Sequence, residues 1–146
     1  MPGKLIRYIA SMLPLPLGFR AAIYRLSGMR IGKNVVIDRD LQVTKAENIT
    51  IGDRVTVSKS VSLLGEVTAV NSRLNAEFNV RKSAPVIIED DVFIGVKVTI
   101  LPGCTVGRMS TIGSNSVVMA DVPAYAVVMG VPGRVLMIRR KEKAAE

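Results

Sequence analysis

Between residues 64 and 84 the chain gathers Glu66, Thr68, Asn71, Ser72, Arg73, Asn75, Glu77, Asn79, Arg81 and Lys82 into one polar stretch. The sequence on either side is regular and aliphatic. A long polar excursion from a regular scaffold reads as a functional loop, because a scaffold gains nothing from it in packing. The chain has no histidine, so imidazole acid–base chemistry and histidine-held metal are both excluded, and no metal site is expected. Proton transfer would fall to a carboxylate. The single thiol, Cys104, falls on a small inward position of a six-residue repeat. It is expected to be a buried apolar group rather than a nucleophile.

Charge gives a second set of candidates. The net charge is +8, and basic residues cluster at both ends: Lys4, Arg7, Arg20, Arg25, Arg30 and Lys33, then Arg134, Arg139, Arg140, Lys141 and Lys143. Nucleic acid is a poor fit, since no groove-reading helix signature is present and only 4% of residues are aromatic. An anionic membrane surface fits the N-terminal segment, where Leu5, Ile6, Ile9, Leu13, Phe19, Ile23 and Leu26 mix with Lys and Arg. The same residues would also serve as a cap packed on the scaffold or on neighbouring subunits. A polyanionic small molecule, such as a coenzyme with several phosphates, is the third fit.

The elements that must position these groups follow from a six-residue rhythm. An aliphatic residue recurs at Ile31, Ile37 and Val43, and after a two-residue slip at Ile51, Val57 and Leu63. It resumes at Ile88, Ile94, Ile100, Val106, Ile112 and Val118. Four residues after each sits a small or medium group: Val35, Leu41, Val55, Val61, Val92, Val98, Cys104, Ser110, Ser116 and Val122. Helices repeat apolar residues at three and four, flat strands at two. A strict hexad instead fits short strands separated by corners, three hexads to a triangular coil, and therefore a solenoid. Gly often follows the aliphatic, as at Gly32, Gly52, Gly95, Gly107 and Gly113, and is expected to supply corner backbone angles. Outward positions such as Val86, Ile87, Phe93, Thr99, Leu101, Val117 and Met119 are apolar enough to expect burial between subunits.

One domain is expected, in three parts: a helical cap over residues 1–30, the solenoid over 31–135 with its excursion at about 64–84, and a basic tail or short helix over 136–146. A lone Cys suits a reducing, cytoplasmic compartment. The segment from Ile9 to Phe19 is apolar, but Pro14 and Pro16 interrupt it and it runs directly into Arg20, which argues against a cleaved leader. No apolar run reaches the roughly 20 residues that span a bilayer.

The ordered segments Pro85–Gly95, Ile100–Gly107, Ile112–Val118, Asp121–Tyr125 and Gly130–Val135 resemble the hexapeptide-repeat acyltransferases. The nearest branch is the maltose, galactoside and polysaccharide O-acetyltransferases, and the resemblance runs from about Ile31 to Val135. It implies an all-β, left-handed parallel β-helix, a homotrimer, and acetyl-coenzyme A as donor. The implied acceptor is a hydroxyl or amine of a sugar or sugar nucleotide, in surface-polysaccharide biosynthesis. In such enzymes the excursion loop holds acceptor contacts, here Asn71, Arg73 and Asn75, and a histidine base. That histidine aligns on Glu66 to Thr68, where Glu66 is the sole ionisable side chain. A carboxylate works as a base if burial raises its pKa, and it orients an amine more readily still.

The resemblance also implies donor contacts at Val96, Ser114, Met119, Ala120 and Arg134. The family's Thr-Lys pair is replaced by Met119-Ala120, so a phosphate-binding lysine is missing and Arg139 or Arg140 is expected to compensate. A catalytically silent coenzyme A-binding or scaffold trimer is the alternative, since the histidine is absent. Location is expected to be cytoplasmic, with the N-terminal segment placed to touch the inner face of the membrane.

Overall fold

The computed structural model describes residues 2–140; the basic run Lys141, Glu142, Lys143 and Ala144 lies outside the described residues. Helices α1 (Pro2–Met12) and α2 (Leu17–Leu26) lead into strands β1 (Arg30–Ile31), β2 (Val36–Ile37) and β3 (Gln42–Thr44). A second round gives β4 (Ile49–Ile51), β5 (Thr56–Val57) and β6 (Ser62–Leu64). The excursion holds β7 (Glu66–Val67), helix α3 (Arg73–Phe78) and β8 (Lys82–Ser83). Then come β9 (Val86–Ile88), β10 (Phe93–Ile94), β11 (Thr99–Ile100), β12 (Thr105–Val106), β13 (Thr111–Ile112), β14 (Val117–Val118), β15 (Ala126–Met129) and β16 (Arg134–Ile138).

The fold is mostly β: apart from the β7-β8 pair of the excursion, its strands form three sheets that the chain visits in rotation. The first orders β1-β4-β9-β12, the second β16-β15-β13-β10-β5-β2, and the third β14-β11-β6-β3. Every pairing between successive circuits is parallel. Ile94 pairs with Ile112 and Ile100 with Val118, so one circuit takes three hexads. Nearly all rhythm residues point inward. Ile37, Val57, Leu63, Ile94, Ile100, Val106 and Ile112 are fully buried, while Ile31 and Val43 pack at the margin of the same core. The groups four residues later, from Val35 to Val122, are buried as well, including Ser110, Ser116 and Cys104.

Three expectations need correction. Val86 does not face outward: it joins Ile88 in the core, because β9 opens one residue early and an alternating strand puts residues two apart on one face. The glycines after the aliphatics do not supply the corner angles. Left-handed backbone falls three residues after the aliphatic, on Asn34, Asp40, Arg54, Ser60, Asp91, Lys97, Met109 and Asn115. The glycines serve close stacking instead. A Cβ on Gly95 would sit 2.7 Å from the Ser114 nitrogen, and one on Gly107 only 2.5 Å from that of Ala124. The C-terminal run is neither helix nor tail over its described part. Residues Arg134–Ile138 form β16, which folds back antiparallel on β15.

The N-terminal helices join the core through Ala10, Ala21 and Tyr24, followed by Met29 just after α2, but Leu5, Ile9, Met12, Leu13, Phe19 and Leu26 stay exposed. Arg20, with 1% of its surface exposed, fixes α1 to α2. Its Nε donates to the Ala10 carbonyl at 3.1 Å and its Nη2 to the Leu13 carbonyl at 2.9 Å. Those carbonyls end α1, where unpaired acceptors and the negative end of the helix dipole favour a cation.

Candidate functional site

The excursion leaves the third sheet after β6 through a fixed neck. Asn48 Nδ2 donates to the Gly65 carbonyl at 2.9 Å, and Ala84 N to the same carbonyl at 3.2 Å. Strand β7 pairs antiparallel with β8, setting Glu66 opposite Ser83. Thr44 Oγ1 donates to the Glu66 carbonyl at 2.8 Å and accepts from the Glu66 N–H at 3.2 Å. Glu66 therefore has a rigid backbone although it begins a loop.

Its side chain meets cations. Arg81 donates from Nε at 2.9 Å and from Nη2 at 2.6 Å, both to Oε1. Lys45 Nζ lies 3.9 Å from the same oxygen and donates to Ser83 Oγ at 2.7 Å. Among the described residues the hydrogen bonds and ion pairs of the carboxylate all fall on Oε1 and none on Oε2. The Arg81 hydrogen bonds hold the Glu66 carboxyl below the ordinary 4.5, outweighing partial desolvation, with the Arg81 and Lys45 charges adding to the effect. The raised pKa expected for a histidine substitute is thus reversed. Desolvation acts in the expected direction, but a guanidinium at hydrogen-bond distance dominates.

The other loop residues are less convergent. Ser72 caps α3 by accepting from Leu74 N at 3.1 Å, as serine at an N-cap does. Arg73 is exposed and pairs with Glu77 at 3.0 Å, one helical turn on. Asn71 is also exposed. Asn75 is half-buried, and its Oδ1 has no partner among the described residues. An acceptor oxygen of this kind is satisfied by a donor from ordered water, a ligand or a neighbouring chain. Among the described residues, no hydrogen bond or ion pair joins Asn71, Arg73 or Asn75 to Glu66.

The candidate donor residues fall on two edges of the third sheet. Val96 and Ser114 occupy equivalent corners one circuit apart, before β11 and β14, and the Asn115 N–H donates to the Val96 carbonyl at 2.9 Å. The turn before Arg134 closes beside them, since Gly133 N donates to the Val117 carbonyl at 2.8 Å. Met119 and Ala120 follow β14, on the edge from which the excursion leaves two circuits earlier, after β6. Val96, Ser114, Met119, Ala120 and Arg134 are all exposed, as a ligand groove requires. Arg139 does not compensate for the missing lysine within the chain. Strand β16 carries it back across the second sheet, where Nη2 donates to Thr111 Oγ1 at 3.0 Å and Nη1 to the Met109 carbonyl at 3.4 Å. Cys104 is buried, its Sγ is 3.7 Å from the Val118 carbonyl, and burial raises its pKa. A protonated, enclosed thiol is not a nucleophile.

Sequence reasoning missed a further feature. Lys4 and Arg7 of α1 close a groove whose other walls are Val43, Thr44, Lys45, Glu47, Glu66 and Arg81. The sequence signal was the spacing of Lys4 and Arg7, one helical turn apart, but nothing local tied that turn to a loop sixty residues later.

Comparison with known proteins bears on the reading. The family "Bacterial transferase hexapeptide (six repeats)" matches residues 85–120. The galactoside O-acetyltransferase of Escherichia coli (strain K12) is 37% identical over 112 residues, covering 75% of this chain and 54% of that protein. WcaF of the same organism, an acetyltransferase whose name places it in colanic acid biosynthesis, is 30% identical over 138 residues, covering 83% and 75%. A hexapeptide-repeat-containing acetyltransferase of Vibrio cholerae O1 biovar eltor, solved with acetyl coenzyme A, superposes with a TM-score of 0.77 at 26% identity, over 94% of this chain and 86% of that one. The chain spans about half the length of the first curated relatives it matches.

Proposed function

The chain belongs to the hexapeptide-repeat bacterial transferases, and from that premise we propose that it moves an acetyl group from acetyl-coenzyme A to a sugar hydroxyl or amine, in surface-polysaccharide biosynthesis in the cytoplasm. The observation that carries this is the likeness to the Vibrio cholerae acetyltransferase across nearly the whole chain. In this reading the three rotating sheets wind as a left-handed β-helix, capped by residues 1–30, and three copies assemble. The exposed strand β16 and the outward Ile87, Phe93 and Met119 are then covered by neighbouring copies.

The groove residues fit such a donor only in part. Val96 and Ser114 form an exposed corner column along which an extended pantetheine arm can hydrogen-bond backbone. Arg134 is a cation placed for phosphate, while Met119 and Ala120 offer surface but no charge. Acetyl-coenzyme A supplies the activated acyl thioester. The chain's part is to hold the acceptor, with Asn71, Arg73 and Asn75 as candidate contacts, and to receive its proton. Glu66 Oε2 is the candidate for that. Held below the usual carboxylate range, it is a weak base, so it accepts the proton late, once attack has made the acceptor oxygen or nitrogen acidic.

The same pairing of Glu66 favours a second reading, a trimer that binds coenzyme A without transferring. Release of free coenzyme A thiol across an acceptor panel separates the two. Turnover that falls about 100-fold in Glu66→Gln, with coenzyme A affinity unchanged, supports the first. No turnover with any acceptor, alongside coenzyme A binding, supports the second. A monomer of 15.7 kDa by light scattering at micromolar concentration would remove the shared groove from both.

A further inference from the structure

Resting on that reading of the Glu66 region as the acceptor site, we propose that the groove between α1 and the excursion neck binds an anionic group, phosphate or carboxylate, carried by the acceptor. Four cations line it, Lys4, Arg7, Lys45 and Arg81, against two carboxylates, Glu47 and Glu66, for a net charge of +2. Two of the cations are already engaged. Arg81 and Lys45 share Glu66 Oε1, and Lys45 also holds Ser83.

Lys4 and Arg7 make no hydrogen bond or ion pair among the described residues. They are not scattered surface charges, however. They stand one turn apart on the face of α1 that looks onto β3, and a second hollow continues along the same face past Tyr8 and Ser11 to Leu41, Gln42 and Val43. The helix that carries them is held by the buried Arg20 hydrogen bonds to its last turn. The groove thus has two uncommitted cations on a braced helix, facing a pair whose charge Glu66 offsets only in part.

The arrangement selects by charge. A guanidinium and an ammonium converging on one oxyanion give short, charge-assisted hydrogen bonds, and a concave wall focuses their field. An ammonium on the acceptor would enter against the net positive charge left by four cations and two carboxylates. A hydroxyl on a sugar that bears a phosphate or carboxylate enters with the field, its anion toward Lys4 and Arg7 and its reacting group toward Glu66 Oε2. The groove therefore favours O-transfer to an acidic sugar over N-transfer to an amino sugar.

The test is equilibrium binding without acetyl-coenzyme A, so it stands apart from turnover. Calorimetry compares a neutral hexose, the matching hexose phosphate and the matching hexuronate, on wild type and on the double variant Lys4→Ala/Arg7→Ala, with circular dichroism confirming the fold. At low salt the wild type should bind at least one acidic sugar about tenfold or more tightly than the hexose, a typical return for charge-assisted contacts. High salt should shrink that advantage, and the double variant should lose it. Equal affinity for all three sugars in the wild type, or an advantage that survives in the double variant, overturns the proposal. Vesicles of phosphatidic acid, set against vesicles of phosphatidylcholine, identify the source. Competition by the former alone assigns the phosphate to a lipid headgroup, and its absence assigns it to a soluble sugar; each supports the shared anion site. Absence of acetyl transfer would remove the enzymatic reading and leave this result intact.

Discussion

Replacing Arg20 by methionine should free α1 while leaving the sheets intact. Methionine keeps an apolar stem of similar reach in the space between the helices. It removes the donors to Ala10 O at 3.1 Å and Leu13 O at 2.9 Å. Hydrogen bonds from a charged donor are each roughly 1.5–3 kcal/mol, so the gross loss is about 3–6 kcal/mol. Removing a buried guanidinium also relieves its desolvation cost, and the net loss falls to about 2–4 kcal/mol. That loss belongs to α1 and not to the core, because the bonded carbonyls lie in and just after that helix. Hydrogen exchange reads it locally. Amides near the C-terminal end of α1 should lose about 30-fold or more of their protection. The Gly95 and Gly113 amides, bonded to Ile112 O and Val128 O at 2.8 Å, should keep theirs. Wild-type protection in α1, or a uniform fall across α1 and the sheets, would refute the role assigned to Arg20.

Gly107→Ala should destabilise by about 2 kcal/mol or more in thermal melts, because its Cβ meets backbone of Ala124 and Pro123. Gly18→Ala, with open space around it in α2, should be neutral or slightly stabilising. Tyr24 has no exposed surface, and burial pushes its phenol up to about 12. A raised pKa gives stability that is complete below pH 10 and lost as pH rises from 10 toward 12, so Tyr24→Phe should flatten that alkaline loss in denaturant titrations at rising pH. Glu66 is held low, so its pairing with Arg81 contributes above the ordinary 4.5 and is lost as pH falls through the lower folded value. Arg81→Ala should move the Glu66 titration, followed by carbon NMR, upward toward 4.5.

The rhythm was legible because every inward position obeys the same steric rule. Ile94, Ile100 and Ile112 had to be aliphatic wherever the chain turned. The corner glycines were legible as residues but not as reasons. A sequence does not separate a glycine needed for its φ from one needed for its missing Cβ, and Gly107 is the second kind. Val86 was misplaced by one residue of strand, which reverses the face. The place of Glu66 at the start of the excursion was legible, but its ionisation was not, since its pKa is set by Arg81 fifteen residues away across a hairpin. The cationic groove was hidden for the same reason. Lys4 and Lys45 are neighbours only after α1 has folded back over β3. Arg139 was placed wrongly because a reversed strand and a trailing tail read alike in a basic terminus.

The excursion leaves the ladder undisturbed. Thr56 pairs with Phe93, and Ser62 with Thr99, as directly as strands with no insertion between them. Its two ends meet at the Gly65 carbonyl, so lengthening it would cost only about 0.6 kcal/mol per doubling. The excursion behaves as an exchangeable cassette on an invariant spindle. Deletions, grafts and whole replacements between Gly65 and Ala84 would reshape the surface there without renegotiating the interior. On the proposed acceptor role of the excursion, selection can thus revise the partner of such a protein quickly while the stack of buried aliphatics stands still.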